Sequence, residues 1–126
     1  MILDTQAFLW FVSDLARLSK KARSALKEPE NEIFLSLAST WEIAIKVSLG
    51  KLKIAEPLER FIPQQLLANS IRQLDISFRH VARVATLPFH HRDPFDRLLI
   101  SQAMLEDMPI LSADKAFDSY GVKRIW

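Results

Sequence analysis

Cysteine is absent from this chain of 126 residues, glycine occurs only twice, and no apolar run approaches the roughly 18 residues needed to cross a bilayer. Without thiols there is no disulfide framework, no thiolate metal site and no cysteine nucleophile. Gly50 and Gly121 alone cannot build a glycine-rich phosphate loop, which removes the dinucleotide fingerprint and the P-loop. The opening "MILD" has neither the basic region nor the apolar stretch of a leader, so a cytoplasmic protein without membrane association is expected.

A hydrophobic content of 49% with 25% charged residues is the balance of a folded domain, and the length suits one domain over residues 1–126 with a real core. The net charge of +2 decides little about partners. The cations are nonetheless uneven: "ARLSKKARSALK" carries Arg17, Lys20, Lys21, Arg23 and Lys27, which read as a solvated helix face.

Short apolar runs alternate with longer amphipathic ones. "MIL", "EIFLSL", "IRQLDI", "PILS" and "VKRIW" predict strands, and "TQAFLWFV", "SKKARSALK", "STWEIAIKVSLG", "PLERFIPQQLLANS", "SFRHVARVATL" and "DPFDRLLISQAMLED" predict helices, with a further helical turn at "DKAFDSYG". Strands interleaved with helices argue for an α/β fold with a mostly parallel sheet covered on both faces.

Ligands of open α/β sheets bind beyond the carboxyl ends of strands, and acids stand at those places. Asp4 follows "MIL", Glu42 lies one turn beyond "EIFLSL", Asp114 follows "PILS", and Asp93 and Asp96 open the longest helix. Each has a structural explanation: Asp93 before Pro94 reads as a helix cap, Asp96 suits a helix N-terminus, Ser39 to Glu42 fits a capping box, and Asp4 and Asp114 cap the helical segments after them. Taken jointly they point further. Two carboxylates about 4 Å apart repel by about 4 kcal/mol at an effective dielectric of 20, against a total stability of about 5 to 15 kcal/mol, so acids gathered at one sheet edge call for a positive charge among them. Oxygen donors suit Mg²⁺ or Mn²⁺ rather than zinc or copper, and ions held in this way serve phosphodiester cleavage. His80, His90 and His91 show no metal-ligand spacing, and the adjacent pair reads as loop or surface.

"MILDTQAFLW", "SLASTWEIAIK", "LPFHHRDPFDRLLISQA" and "ILSADKAFDSYGV", in this order and at these separations, resemble the PIN-domain family, and within it the VapC-like toxins of bacterial toxin-antitoxin pairs. The resemblance runs from Met1 to about Val122. It implies a three-layer α/β/α sandwich with a mostly parallel central sheet of four to five strands, and an endoribonuclease using Mg²⁺ or Mn²⁺ to hydrolyse RNA with water as nucleophile, leaving a 5′-phosphate and a 3′-hydroxyl. It also implies a homodimer neutralised by a cognate antitoxin that inserts a peptide near the acids. Residue by residue, the resemblance carries the catalytic and metal-binding roles onto Asp4, Glu42, Asp96 and Asp114, with Ser112 at the small hydroxyl position. Asp93 then caps the helix, supports the metal shell or exchanges roles with Asp96.

Around these acids, Lys46 forms an intrahelical pair with Glu42, or orients it, or contacts a substrate phosphate. Arg92 and Arg97 are candidates for the RNA backbone, or for salt bridges to Asp93 or Asp96. Trp10, Phe11, Trp41 and Phe95 read as core or interface rather than as base-stacking groups. The alternative to an enzyme is a catalytically silent PIN-like module that binds a basic partner peptide or RNA. A phosphohydrolase with an aspartyl nucleophile would need a second aspartate two residues after Asp4, where Gln6 stands.

Overall fold

The computed structural model describes all 126 residues. Strands β1 (Ile2–Leu3), β2 (Ile33–Ser36), β3 (Ile71–Leu74), β4 (Ile110–Leu111) and β5 (Arg124–Ile125) form one sheet in the order β3-β2-β1-β4-β5, with every pairing parallel. Parallel neighbours need crossovers, and the helices are α1 (Thr5–Ser13), α2 (Lys20–Lys27), α3 (Leu37–Ser48), α4 (Leu58–Ala68), α5 (Phe78–Val84) and α6 (Pro94–Glu106). Short 3₁₀ turns lie at Leu15–Arg17 and Lys115–Tyr120. This is the expected α/β architecture, with five strands.

Successive strand residues point to opposite faces, and the two halves of the core follow from that alternation. Leu3, Leu35 and Leu111 pack with Phe8, Leu18, Ile43 and Ile62, whereas Ile2 and Ile110 pack with Leu99, Ile100 and Phe117. The sheet is thus the middle layer of three. From β1 the chain builds outward to β2 and β3 on one side, then returns to add β4 and β5 on the other. That reversal opens a crevice beyond the carboxyl ends of β1 and β4.

Helix α3 begins earlier than the Ser39 to Glu42 capping box predicts. Ser36 ends β2, and its Oγ accepts the Ala38 N–H at 3.0 Å, so the helix starts at Leu37. Ser39 therefore falls inside the first turn, buried with its hydroxyl unpartnered, and Glu42 lies in the second turn, free of capping. Two serines three residues apart offer similar caps, and the one where the strand ladder ends takes the role.

Arg97 corrects another expectation. It is buried, at 5% exposure, and forms no salt bridge with the carboxylates of Asp93 and Asp96. Its Nη1 donates to the carbonyls of Pro88 (2.8 Å) and His91 (3.3 Å) and to the Tyr120 hydroxyl (3.2 Å), and its Nη2 donates to the carbonyls of Val84 and Leu87, both at 3.2 Å. The Phe89 ring lies over the guanidinium, 4.3 Å from ring centroid to Cζ. One planar cation thereby shapes the segment between α5 and α6. Arg97→Met keeps the aliphatic stem but leaves four buried or partly buried carbonyls without their donor, and urea unfolding is expected to register a loss of about 3 kcal/mol, with Arg97→Lys recovering only part of it.

Candidate metal centre

Asp4 leaves β1 as the N-cap of α1, its Oδ1 accepting the Ala7 N–H at 2.6 Å. Its Oδ2 accepts the hydroxyl proton of Ser112, the residue after β4. The same Ser112 Oγ accepts the Asp114 N–H at 3.0 Å, so one fully buried hydroxyl ties the ends of β1 and β4 together and settles which way its proton points. Asp114 in turn caps the following 3₁₀ turn through Ala116 N–H at 2.9 Å. Capping and clustering are therefore compatible at Asp4 and Asp114: each uses one oxygen to begin a helix.

Across the crevice, Glu42 projects from α3. Its Oε1 accepts the Thr5 hydroxyl at 2.6 Å, and its Oε2 lies 3.2 Å from Lys46 Nζ. On the remaining side Asp93 caps α6, its Oδ1 accepting from Phe95 N–H (2.9 Å) and Asp96 N–H (3.0 Å), with Pro94 in the first turn. Asp4, Glu42, Asp93, Asp96, Asp114 and Lys46 all line one cleft of about 330 Å³. Ser112 stands behind it, and Arg92 is exposed outside its walls. Trp10, read from the sequence as core or interface, packs against the core and also walls the cleft, while Trp41 is 59% exposed with its ring edge-on to Phe95.

The electrostatics follow from this crowding. Burial pushes the Asp4 carboxyl above its ordinary range, the charges of Asp114 and Glu42 push the same way, and the hydrogen bonds from Ser112 and Ala7 oppose them. Asp96 is pushed up to about 6, chiefly by burial and then by the charges of Asp93 and Asp4, against the hydrogen bond from His91.

His91 is a candidate site residue that the sequence reading did not single out. It does lie in a loop, but its Nε2 sits 2.7 Å from Asp96 Oδ2, and one ligand-competent atom from each of His91, Asp96 and Asp114 falls within 4.8 Å of the others. Its backbone is fixed on both sides: its N–H donates to the Tyr120 hydroxyl at 2.9 Å, and its carbonyl accepts from Arg97 at 3.3 Å. No periodicity links His91 to Asp96, because the chain turns through Pro94 between them. Thr5 was likewise unmarked, being one more polar residue in the first turn of a helix. The donors fit a hard divalent cation: carboxylate oxygens from four segments, one imidazole nitrogen, and two acids whose shared negative field a bound cation would relieve.

Comparison with known proteins agrees with this architecture. A family model described as the PIN domain matches residues 1–123. Ribonuclease VapC16 of Mycobacterium tuberculosis is 36% identical over 62 residues, which are 49% of this chain and 44% of that protein. The chain thus spans less than half of that curated relative's length. Two solved structures share the fold at 17% identity. FitAB bound to IR36 DNA fragment has a TM-score of 0.64 and covers 98% of this chain and 92% of its own, and FitAcB from Neisseria gonorrhoeae has a TM-score of 0.58 and covers 98% and 94%. With the family model matched over nearly its whole length, the chain belongs to the PIN-domain family.

Proposed function

We propose that the protein is a metal-dependent endoribonuclease, the toxin of a toxin-antitoxin pair, formed as one PIN-like domain over residues 1–126 and acting in the cytoplasm. The observation that carries this reading is the convergence of Asp4, Glu42, Asp96 and Asp114, from four separate segments, on one cleft beyond the carboxyl ends of β1 and β4. These four acids would hold Mg²⁺ or Mn²⁺, with His91 Nε2 within reach of the same place. When bound, the ion supplies an activated water and stabilises the charge on the leaving oxygen.

The chain's own residues prepare that chemistry. Ala7 N–H and the Ser112 hydroxyl lock both oxygens of Asp4, so the carboxylate meets a ligand without losing rotamer freedom at that moment. Thr5 and Lys46 hold Glu42 from two directions. Asp93 keeps its cap and supports Asp96 by fixing the first turn of α6. A second copy of the chain would cover exposed Phe78 and Val81, which lie one turn apart on α5, and a cognate antitoxin would present a basic side chain to the acids. One observation favours the second reading, a catalytically silent module binding a basic peptide or RNA: Lys46 and His91 already bring positive or proton-donating groups to Glu42 and Asp96.

RNA cleavage is expected to vanish in excess chelator, to return with Mn²⁺ or Mg²⁺, and to be abolished in Asp4→Asn and Asp96→Asn; partner binding with no turnover at any ion concentration would support the silent module instead. Ser112→Ala, which frees Asp4 without removing a ligand, should weaken Mn²⁺ binding in calorimetry by about 10- to 100-fold. Stability gives a further check. A carboxyl with a folded pKa of about 6 and an unfolded value near 3.8 holds its proton more tightly when folded, so its contribution favours the fold below pH 3.8 and is lost as the pH rises through about 6. Asp96→Asn should therefore stabilise the metal-free protein by about 2 to 3 kcal/mol at pH 7.5 and scarcely at all at pH 4, as read by urea unfolding. Saturating Mn²⁺ should reverse the order of the two proteins.

A further inference from the structure

The acidic cleft is poorly suited to hold a polyanion by itself. Five carboxylates and one lysine line it, so an RNA strand needs cations beyond the reacting phosphate. A second trough, of about 420 Å³, adjoins the cleft and shares Gln6, Trp10 and Lys46 with it. Its charged lining is the reverse of the first: Arg17, Lys46 and Lys51 against the single acid Asp14.

Local structure explains how these cations come together. Gly50, at φ +70, turns the chain at the end of α3, so that the N–H groups of Lys51 and Leu52 both donate to the Lys46 carbonyl, at 2.9 and 3.2 Å. Lys51 is thereby folded back beside Lys46. On the opposite wall, the stretch of α1 from Gln6 to Ser13 spans about 10 Å at 1.5 Å per residue, and the turn after it bears Arg17. The Arg17 guanidinium lies 5.9 Å from the centroid of the Trp10 ring and 3.3 Å from Asp14, two contacts that hold it beside the trough while the side chain stays exposed. Of the five cations in "ARLSKKARSALK", only Arg17 lines this trough, and the others belong to α2 or its approach.

We propose that this trough between α1 and the end of α3 is the track for the single-stranded RNA flanking the cleaved bond, with Arg17, Lys46 and Lys51 meeting successive phosphates on one side of the scissile one. The proposal rests on the ribonuclease reading above and assigns its substrate a direction across the surface. Lys46 stands at the junction, facing Glu42 on one side and the trough on the other. Contacts of this kind go to phosphate and sugar, so the track positions the strand without reading its bases.

The test is the double variant Arg17→Gln/Lys51→Gln, both exposed positions outside the acidic cleft. Fluorescence anisotropy with a labelled oligoribonucleotide about 12 nucleotides long should show binding weakened by about tenfold in Mn²⁺ at low salt, and the slope of log affinity against log salt reduced by about 1.4, two phosphates at about 0.7 each. KM for the same RNA should rise with kcat retained, while Mn²⁺ affinity and hydrolysis of bis(p-nitrophenyl) phosphate stay at wild-type levels. Arg17→Lys/Lys51→Arg, which keeps both charges, should restore binding. Unchanged RNA affinity and salt slope would overturn the track, as would loss of an oligoglutamate peptide with RNA binding intact. If the wild-type protein with Mn²⁺ cleaves neither RNA nor the small diester, the ribonuclease reading fails, and the anisotropy comparison still decides the track by itself.

Discussion

Like charge packed at the carboxyl ends of β1 and β4 is the constraint around which this molecule is organised. The strands there are only two residues long, yet they carry Asp4 and Asp114 to the same Ser112 hydroxyl, which bonds to both. An acid that is both buried and faced by other acids lowers the stability of the metal-free fold, and natural sequences replace such groups readily unless the arrangement serves something. Here the cost is spread over helix caps. Asp4, Asp93 and Asp114 each return part of it by satisfying backbone N–H groups at helix starts, which lets negative charge accumulate without losing the local structure that displays it.

Adjacent residues of α6 carry opposite duties. Asp96 turns toward the cleft, and Arg97 turns inward to organise the segment that returns His91 to Asp96. Tyr120 joins that arrangement from the turn begun by Asp114, since its hydroxyl touches both Arg97 and His91. The cluster is thus supported from beneath by a second polar assembly whose members never line the cleft. Displacing Arg97 would act on the cleft indirectly, through the backbone of His91.

The strands, the parallel sheet and the convergence of acids were legible because they rest on short apolar runs interleaved with amphipathic ones and on the rule that α/β sheets bind ligands at their carboxyl ends. Asp4, Glu42, Asp93, Asp96 and Asp114 could be named on that basis alone. The start of α3 was not legible, because Ser36 and Ser39 carry the same capping chemistry and only the end of the β2 ladder separates them. Arg92 and Arg97 look alike beside their acids, yet Arg92 is exposed in the loop before α6 and Arg97 is buried on the helix, where four loop carbonyls and the Tyr120 hydroxyl meet it only in the folded chain. His91 does lie in a loop as read, but its approach to Asp96 was not legible: the loop's course depends on carbonyls belonging to Pro88, Leu87 and Val84, which have no signature in a string of side chains.

The way Arg97 grips its loop has a bearing on how this family member can change over time. The guanidinium recognises main-chain oxygens at positions 84, 87, 88 and 91, and every amino acid offers one. The exposed side chains at Ala85, Thr86, Pro88 and His90 can therefore vary without removing those oxygens, whereas Leu87 is held in the core and Phe89 lies on the guanidinium. Substitutions there would alter the outer contour of the protein beside the cleft while the acidic cluster stayed where it is.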